Sequence, residues 1–166
     1  MKNYQHTLSI AASPAAVYAA LTTPQGLRNW WTEDCEGATA EVGGTIHFRF
    51  GATSKDFRVE RLEPGREVRW LCTRAHIAAD FLTRKDEWIG TEMVFHVSVE
   101  GQGRTRLEFE HIGLIPSLEC YGICENGWQQ FLGSLKQYLE TGEGAPYGAV
   151  STCSASSASL ERSKAA

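Results

Sequence analysis

The sequence predicts an α+β protein in which one curved antiparallel sheet wraps a long C-terminal helix, with two short helices inserted after the first strand. Three observations carry this expectation. Apolar and polar residues alternate through most of the middle of the chain, the period of half-buried strands. Two hydroxyl-proline pairs near the start, Ser13-Pro14 and Thr23-Pro24, are helix-initiation signals. Over 117–140, Tyr121, Cys124, Trp128, Phe131, Leu135 and Tyr138 recur at three- and four-residue steps, the stripe of an amphipathic helix. A helix placed last must bury that stripe, and the concave face of the sheet is the simplest partner.

The first strand spans Tyr4–Ile10, with His6, Leu8 and Ile10 on one face and Thr7 and Ser9 on the other. Ser13 then caps a helix over 14–21 that carries Val17, Tyr18 and Leu21 inward. Proline suits the first helical position because its missing N–H is not needed there. Thr23-Pro24 repeats the signal and opens a second short helix through Leu27 to Trp30 and Trp31.

Strands dominate next. Ile46, Phe48 and Phe50 alternate with His47 and Arg49, Phe57 and Val59 with Arg58 and Glu60, and Val68, Trp70 and Cys72 with Arg69 and Leu71. Gly43-Gly44, Gly51 with Ser54, and Pro64-Gly65 supply the turns of an antiparallel meander with one wet face. The stretch 75–84 reads as either loop or short helix. Met93, Phe95, Val97 and Val99 form the next strand, and Gly101-Gln102-Gly103 turns the chain into 104–111, where Leu107, Phe109 and His111 share a face.

Gly142 is a fitting C-cap for the last helix. Gly122, Gly127 and Gly133 lie inside it, each costing about 1 kcal/mol relative to alanine, so this helix depends on tertiary packing. Gly122 and Gly133, three turns apart, imply either close approach to a strand or open volume for a ligand. Residues 1–147 thus form one domain, and the Ser/Ala-rich tail 148–166 is expected to be disordered because it cannot offset its ordering entropy.

A chain of 166 residues suits one full hydrophobic core. Its net charge of −4 offers no general attraction for phosphate backbones, so nucleic acid is not an expected partner. No run approaches the ~20 apolar residues of a membrane span, and the start lacks the apolar core of a signal peptide. A cytoplasmic location without membrane association is therefore expected. The five cysteines, Cys35, Cys72, Cys120, Cys124 and Cys153, form no regular framework and should be reduced. Cys120 and Cys124 share one side of a helix, where packing is the expected role and a redox or metal role the alternative.

Ordered along the chain, these residues resemble a known group. Ser13-Pro14-x-x-Val17-Tyr18-x-x-Leu21 and Thr23-Pro24-x-x-Leu27-x-x-Trp30-Trp31 lead the set. Gly90-Thr91-Glu92-Met93-Val94-Phe95, Thr105-x-Leu107-x-x-x-His111-x-Gly113-Leu114 and Trp128-x-x-Phe131-x-x-Ser134-Leu135 complete it. Together they are similar to the bacterial proteins related to the C-terminal domain of the Hsp90 ATPase activator, within the START-like (SRPBCC, Bet v 1-like) helix-grip superfamily. The resemblance covers nearly everything outside the tail. It implies a helix-grip domain over 1–147, with the short helices closing one end of the sheet. The superfamily serves lipid carriage, hormone sensing, polyketide cyclisation and co-chaperone work, so fold alone does not choose a function. The co-chaperone that names the family carries a separate N-terminal domain that helps engage its chaperone. No segment here is expected to supply it, so Hsp90 activation is not the expected role.

Alternation places Phe48, Phe50, Trp70, Trp88, Met93 and Phe95 on the inward face, with Phe109, His111, Tyr121 and Trp128; Trp30 and Trp31 belong to the closing helices. Such rings either fill a core or line a pocket for a small apolar or aromatic molecule. A sheet and helix in contact throughout, leaving no internal volume, would remove the pocket. His111 is the best polar candidate, either satisfied by a helix carbonyl or neighbouring hydroxyl, or acting in acid–base chemistry. Glu119 and Glu125 near the helix start are expected to be solvated or placed for the helix dipole. No P-loop, GxGxxG, nucleophile elbow or HExxH occurs, and the dispersed histidines suggest neither metal nor cofactor. The expected function is small hydrophobic-ligand binding. The alternatives are an enzyme acting on a hydrophobic substrate through His111, and a stress-response or co-chaperone-like interaction module. A homodimer is compatible with either.

Overall fold

A computed structural model describes residues 2–148; most of the Ser/Ala-rich tail lies outside them. Seven strands form one antiparallel sheet: β1 (Tyr4–Ile10), β2 (Asp34–Gly37), β3 (Thr45–Phe50), β4 (Thr53–Glu63), β5 (Glu67–His76), β6 (Glu92–Gly101) and β7 (Arg104–Ile112). The sheet order is β1-β7-β6-β5-β4-β3-β2, a meander from β2 to β7 with β1 added at the far edge. Helices α1 (Pro14–Thr22) and α2 (Pro24–Trp30) follow β1, and α3 (Tyr121–Thr141) closes the chain against the sheet.

Both short helices start as the hydroxyl-proline pairs dictate. The Ser13 hydroxyl accepts from the Ala16 N–H at 3.1 Å, and Thr23 accepts from the Gly26 N–H at 3.0 Å. Trp30 binds them together, its indole Nε1–H donating to the Ala20 carbonyl at 2.8 Å. Two register shifts in the β4–β5 ladder, at Asp56/Phe57 and Val59/Arg61, insert extra residues. Such bulges bend strands and increase twist, which is how a sheet acquires a concave face.

The structure differs from the sequence-based expectations in four places. β2 is a short strand against β3 where no alternation announced one, because four residues are too few for a periodic signal. β5 continues to His76, and 77–84 is loop rather than helix. Ser54 lies inside β4 instead of in the preceding turn. Helix α3 begins at Tyr121, four residues after 117, because its start is capped from outside: the Glu87 carboxylate accepts from the N–H of Cys120 at 2.9 Å and of Glu119 at 3.3 Å. Glu119 in turn accepts from the Thr83 and Arg84 N–H groups at 2.8 and 3.0 Å, which holds the β5–β6 loop against the helix start.

Gly122 and Gly133 are exposed, and a Cβ on either would meet nothing within 4 Å. They mark neither a close approach to a strand nor an internal volume; they face solvent.

Candidate functional site

The interior is an array of stacked rings with Trp31 at its centre. As the C-cap of α2, Trp31 projects under the sheet, 4.4 Å from Phe48, 5.9 Å from Trp70 and 5.1 Å from Trp128 between ring centroids. It therefore stands between the sheet and α3, while Trp128 reaches Phe109 directly at 4.3 Å. The chain after α3 clasps this region: the Tyr147 N–H donates to the Trp31 carbonyl at 2.8 Å, and the Tyr147 carbonyl accepts from the Glu33 N–H at 3.1 Å.

Lys55 is the residue that sequence reasoning missed. On β4, Thr53, Lys55, Phe57 and Val59 all face inward, so the alternation seen at Phe57 and Val59 extends back two residues onto a charged side chain. Lys55 is 1% exposed, with Nζ 3.6 Å from the centroid of the Trp88 ring and 5.1 Å from that of Phe50. Burial pulls its pKa down to about 8, opposed by the nearby thiols of Cys124, Cys72 and Cys120, whose ionised forms favour the ammonium.

Beside Lys55 is a cavity of about 10 Å³, walled by Trp31, Trp88, Cys124, Gly127, Trp128 and Phe131. That is room for about one water. The interior is thus close to the solid core that the sequence left open. Trp88 donates its indole N–H to Cys124 Sγ at 3.1 Å and stacks on Trp128 with centroids 5.9 Å apart. The Cys124 thiol is lowered in pKa, chiefly by a hydrogen bond from Cys120, against the upward push of burial; Lys55 and Trp88 help lower it. Cys120 is raised, chiefly by that same contact, with burial second. The two thiols are thus shifted in opposite directions, Cys124 down and Cys120 up.

His111 is fully engaged. Its Nδ1 accepts from the Trp128 indole at 3.0 Å, which puts the ring proton on Nε2, where it donates to the Thr91 hydroxyl at 2.8 Å. Thr91 passes its own proton to the Trp88 carbonyl at 2.6 Å. Burial first, and the positive charge of Lys55 second, push the His111 pKa down to about 3. With both nitrogens occupied and the ring neutral, this geometry offers acid–base chemistry no free nitrogen.

Of the other rings expected to face inward, Trp31, Trp88 and Trp128 line the cavity. Trp30, Phe48, Phe50, Trp70, Met93, Phe95 and Phe109 are buried around it as packing. The Trp70 indole N–H is buried without a hydrogen-bond partner among the described residues, and it is not at the cavity wall. Tyr121 lies elsewhere, partly buried in an outer groove with Lys2, Tyr4 and Glu125 at the helix start. Gly127 and Phe131 join the wall because they lie one turn after Cys124 and Trp128, respectively, on α3. Among the described residues, no group of three or more His, Cys, Asp or Glu side chains could hold a metal ion, and no helix is long and apolar enough to cross a membrane.

Comparison with known proteins agrees with this geometry. Residues 11–140 match the family model described as Activator of Hsp90 ATPase homolog 1-like protein. The solution structure of the Aha1 dimer from Colwellia psychrerythraea is 38% identical, with a TM-score of 0.72 over 87% of this chain and 100% of that one. CalU16 from Micromonospora echinospora is similar in fold at 20% identity and TM-score 0.61, over 83% of this chain and 76% of its own. DynU16, a putative protein of the dynemicin biosynthetic locus, matches at 20% identity and TM-score 0.65, over 87% of this chain and 49% of its own. At those identities the last two show the fold alone. No curated protein matches the chain. With a seven-stranded curved sheet gripping a long terminal helix and a family match over most of its length, the chain belongs to the Activator of Hsp90 ATPase homolog 1-like family.

Proposed function

We propose that this chain is a small-molecule-binding domain whose site is the ring-lined interior around Lys55, and that its occupant is a compact aromatic molecule with one hydrogen-bond acceptor. The observation that supports this is the burial of Lys55 among Trp31, Trp88 and Trp128. Core packing alone favours an apolar side chain there, since burying a charge is costly, and such groups concentrate at functional sites. The indole faces offer stacking surfaces, and Lys55 would donate to a carbonyl or similar acceptor on the ligand.

The cavity of about 10 Å³ admits no aromatic molecule as folded, so uptake requires α3 or the tryptophans to move aside. Helix α3 suits this, since Gly122, Gly127 and Gly133 weaken its intrinsic propensity and leave it dependent on packing. The free thiols of Cys35, Cys72, Cys120 and Cys124 accord with work in the reducing cytoplasm. The Colwellia psychrerythraea protein is described as a dimer, and we extend the homodimer to this chain.

The test is native mass spectrometry of the protein purified from its own host, followed by tryptophan-fluorescence titration with a bicyclic aromatic ketone such as acetonaphthone. A retained small molecule, saturable quenching, and about tenfold weaker binding in Lys55→Met are expected, the last from loss of one hydrogen bond to a charged donor. An empty protein with no saturable quenching overturns the reading. Light scattering on the same sample reads the dimer.

A further inference from the structure

We propose that Cys124 and Cys120 form a dithiol site that reduces a small hydroperoxide, with Cys124 as the attacking sulfur, Cys120 as its resolving partner and Lys55 as the proton donor. The proposal stands on the convergence of groups at one sulfur. Cys124 Sγ receives the Trp88 indole N–H at 3.1 Å, it lies in contact with the Cys120 thiol one turn earlier, and it shares the cavity wall with Lys55. A thiolate is the nucleophile in such chemistry, and a neighbouring cation and hydrogen-bond donors stabilise it. The other buried thiols lack the full set: Cys72 also feels Lys55 but donates to the Arg74 carbonyl at 3.3 Å and lies off the cavity wall, and burial pushes both Cys35 and Cys72 up to about 12.

The cavity suits the oxidant. Its volume of about 10 Å³ is room for about one water, so hydrogen peroxide, with two oxygens, enters only when the ring wall gives slightly, and bulky alkyl hydroperoxides need a far larger opening.

The steps balance. The Cys124 thiolate attacks one peroxide oxygen and the O–O bond breaks. The departing hydroxide takes a proton from the Lys55 ammonium, leaving water, Cys124 sulfenic acid and a neutral Lys55 amine. The Cys120 sulfur then attacks the sulfenyl sulfur, its proton leaves with the hydroxyl as water, and a disulfide forms. Two thiols lose two electrons, and one peroxide becomes two waters.

Closing the bridge requires local movement, because Cβ atoms four residues apart on a helix are about 5–6 Å apart and a disulfide needs about 4 Å. Cys120 is the N-cap residue, at the edge of the regular ladder, and Gly122 sits inside the turn that must tighten. With open space around it, Gly122 has the backbone freedom to absorb the change.

The proposal does not rest on the ligand reading, and the two tests fail separately. The full chain, reduced and desalted, is exposed to hydrogen peroxide, and each cysteine is followed by differential alkylation and peptide mass. Cys124 is expected to be consumed at least about tenfold faster than Cys35 or Cys72 and to be recovered linked to Cys120. Cys120→Ser should halt Cys124 at the sulfenic acid, trapped by dimedone, and tert-butyl hydroperoxide should react more slowly than hydrogen peroxide. Lys55→Met should slow Cys124 by about tenfold while leaving Cys35 unchanged. Consumption of Cys124 no faster than Cys35, or a product linking other cysteines, overturns the proposal. The comparison between cysteines is made within the unaltered chain, so it stands even where a variant fails to fold.

Discussion

Replacing Lys55 with methionine keeps an unbranched side chain one atom shorter and removes its ionisation, so the pH dependence of the variant's stability isolates what a buried ammonium does to this fold. In the folded chain the Lys55 pKa is drawn from 10.5 down to about 8, chiefly by burial. The unfolded chain therefore binds more protons between those values, and stability must rise with pH across that window. Relative to the neutral amine, the cost of keeping Lys55 inside is about 3 kcal/mol at pH 7, about 2 kcal/mol at pH 9 and under about 1 kcal/mol at pH 10. The stability of the wild type minus that of Lys55→Met should then climb by about 2–3 kcal/mol from pH 7 to pH 10. Cys124, lowered partly by the same ammonium, adds in the same direction. Tyr4 and Cys35, both pushed up to about 12, lose stability as pH rises, but they do so in both chains and cancel in the difference; Cys72 feels Lys55, yet at about 12 it stays protonated in the fold throughout the pH 7–10 window. Urea unfolding followed by tryptophan fluorescence, at matched pH values, measures it. A difference that is flat or falls with pH would refute the argument that burial governs Lys55.

Further expectations follow from the same interior. His111 is held neutral with its pKa pushed from 6.5 to about 3, so its contribution is complete above pH 6.5 and is lost as pH falls toward 3, up to about 5 kcal/mol. His111→Gln should therefore show a shallower acid limb than the wild type in a pH series of thermal melts; equal slopes would remove His111 as its source. Gly133→Ala should stabilise the protein by about 1 kcal/mol, since the new methyl meets nothing and the helix gains propensity, and urea midpoints will show the gain or its absence.

Much of the fold was legible in the chain because its signals are local. Ser13-Pro14 and Thr23-Pro24 cap the helices they announce, and the alternation at Ile46, Phe48 and Phe50 or at Leu107, Phe109 and His111 marks the buried face of β3 and β7. The start of α3 was not legible, because its cap is the Glu87 carboxylate, more than thirty residues away in the chain. Lys55 is in phase with Phe57 and Val59, yet a lysine is so seldom fully buried that alternation by itself does not mark it as an inward residue. Tyr121 shows the converse: helical spacing puts it on the stripe, but it is only partly buried at the margin of the core and lines an outer groove.

Sequence pattern alone therefore established an α+β domain of one antiparallel sheet and a long last helix, the order of its elements apart from β2, and its inward-facing rings, since period, capping and turn chemistry act over a few residues. How full that interior is depended on packing between distant elements. Trp31 swinging in from the end of α2 occupies the space between Trp128 and the sheet, and leaves about 10 Å³ beside Lys55 and Cys124. Ring-against-ring filling of this kind is set by the relative positions of α2, α3, β3 and β4, and side-chain periodicity carries no record of those distances.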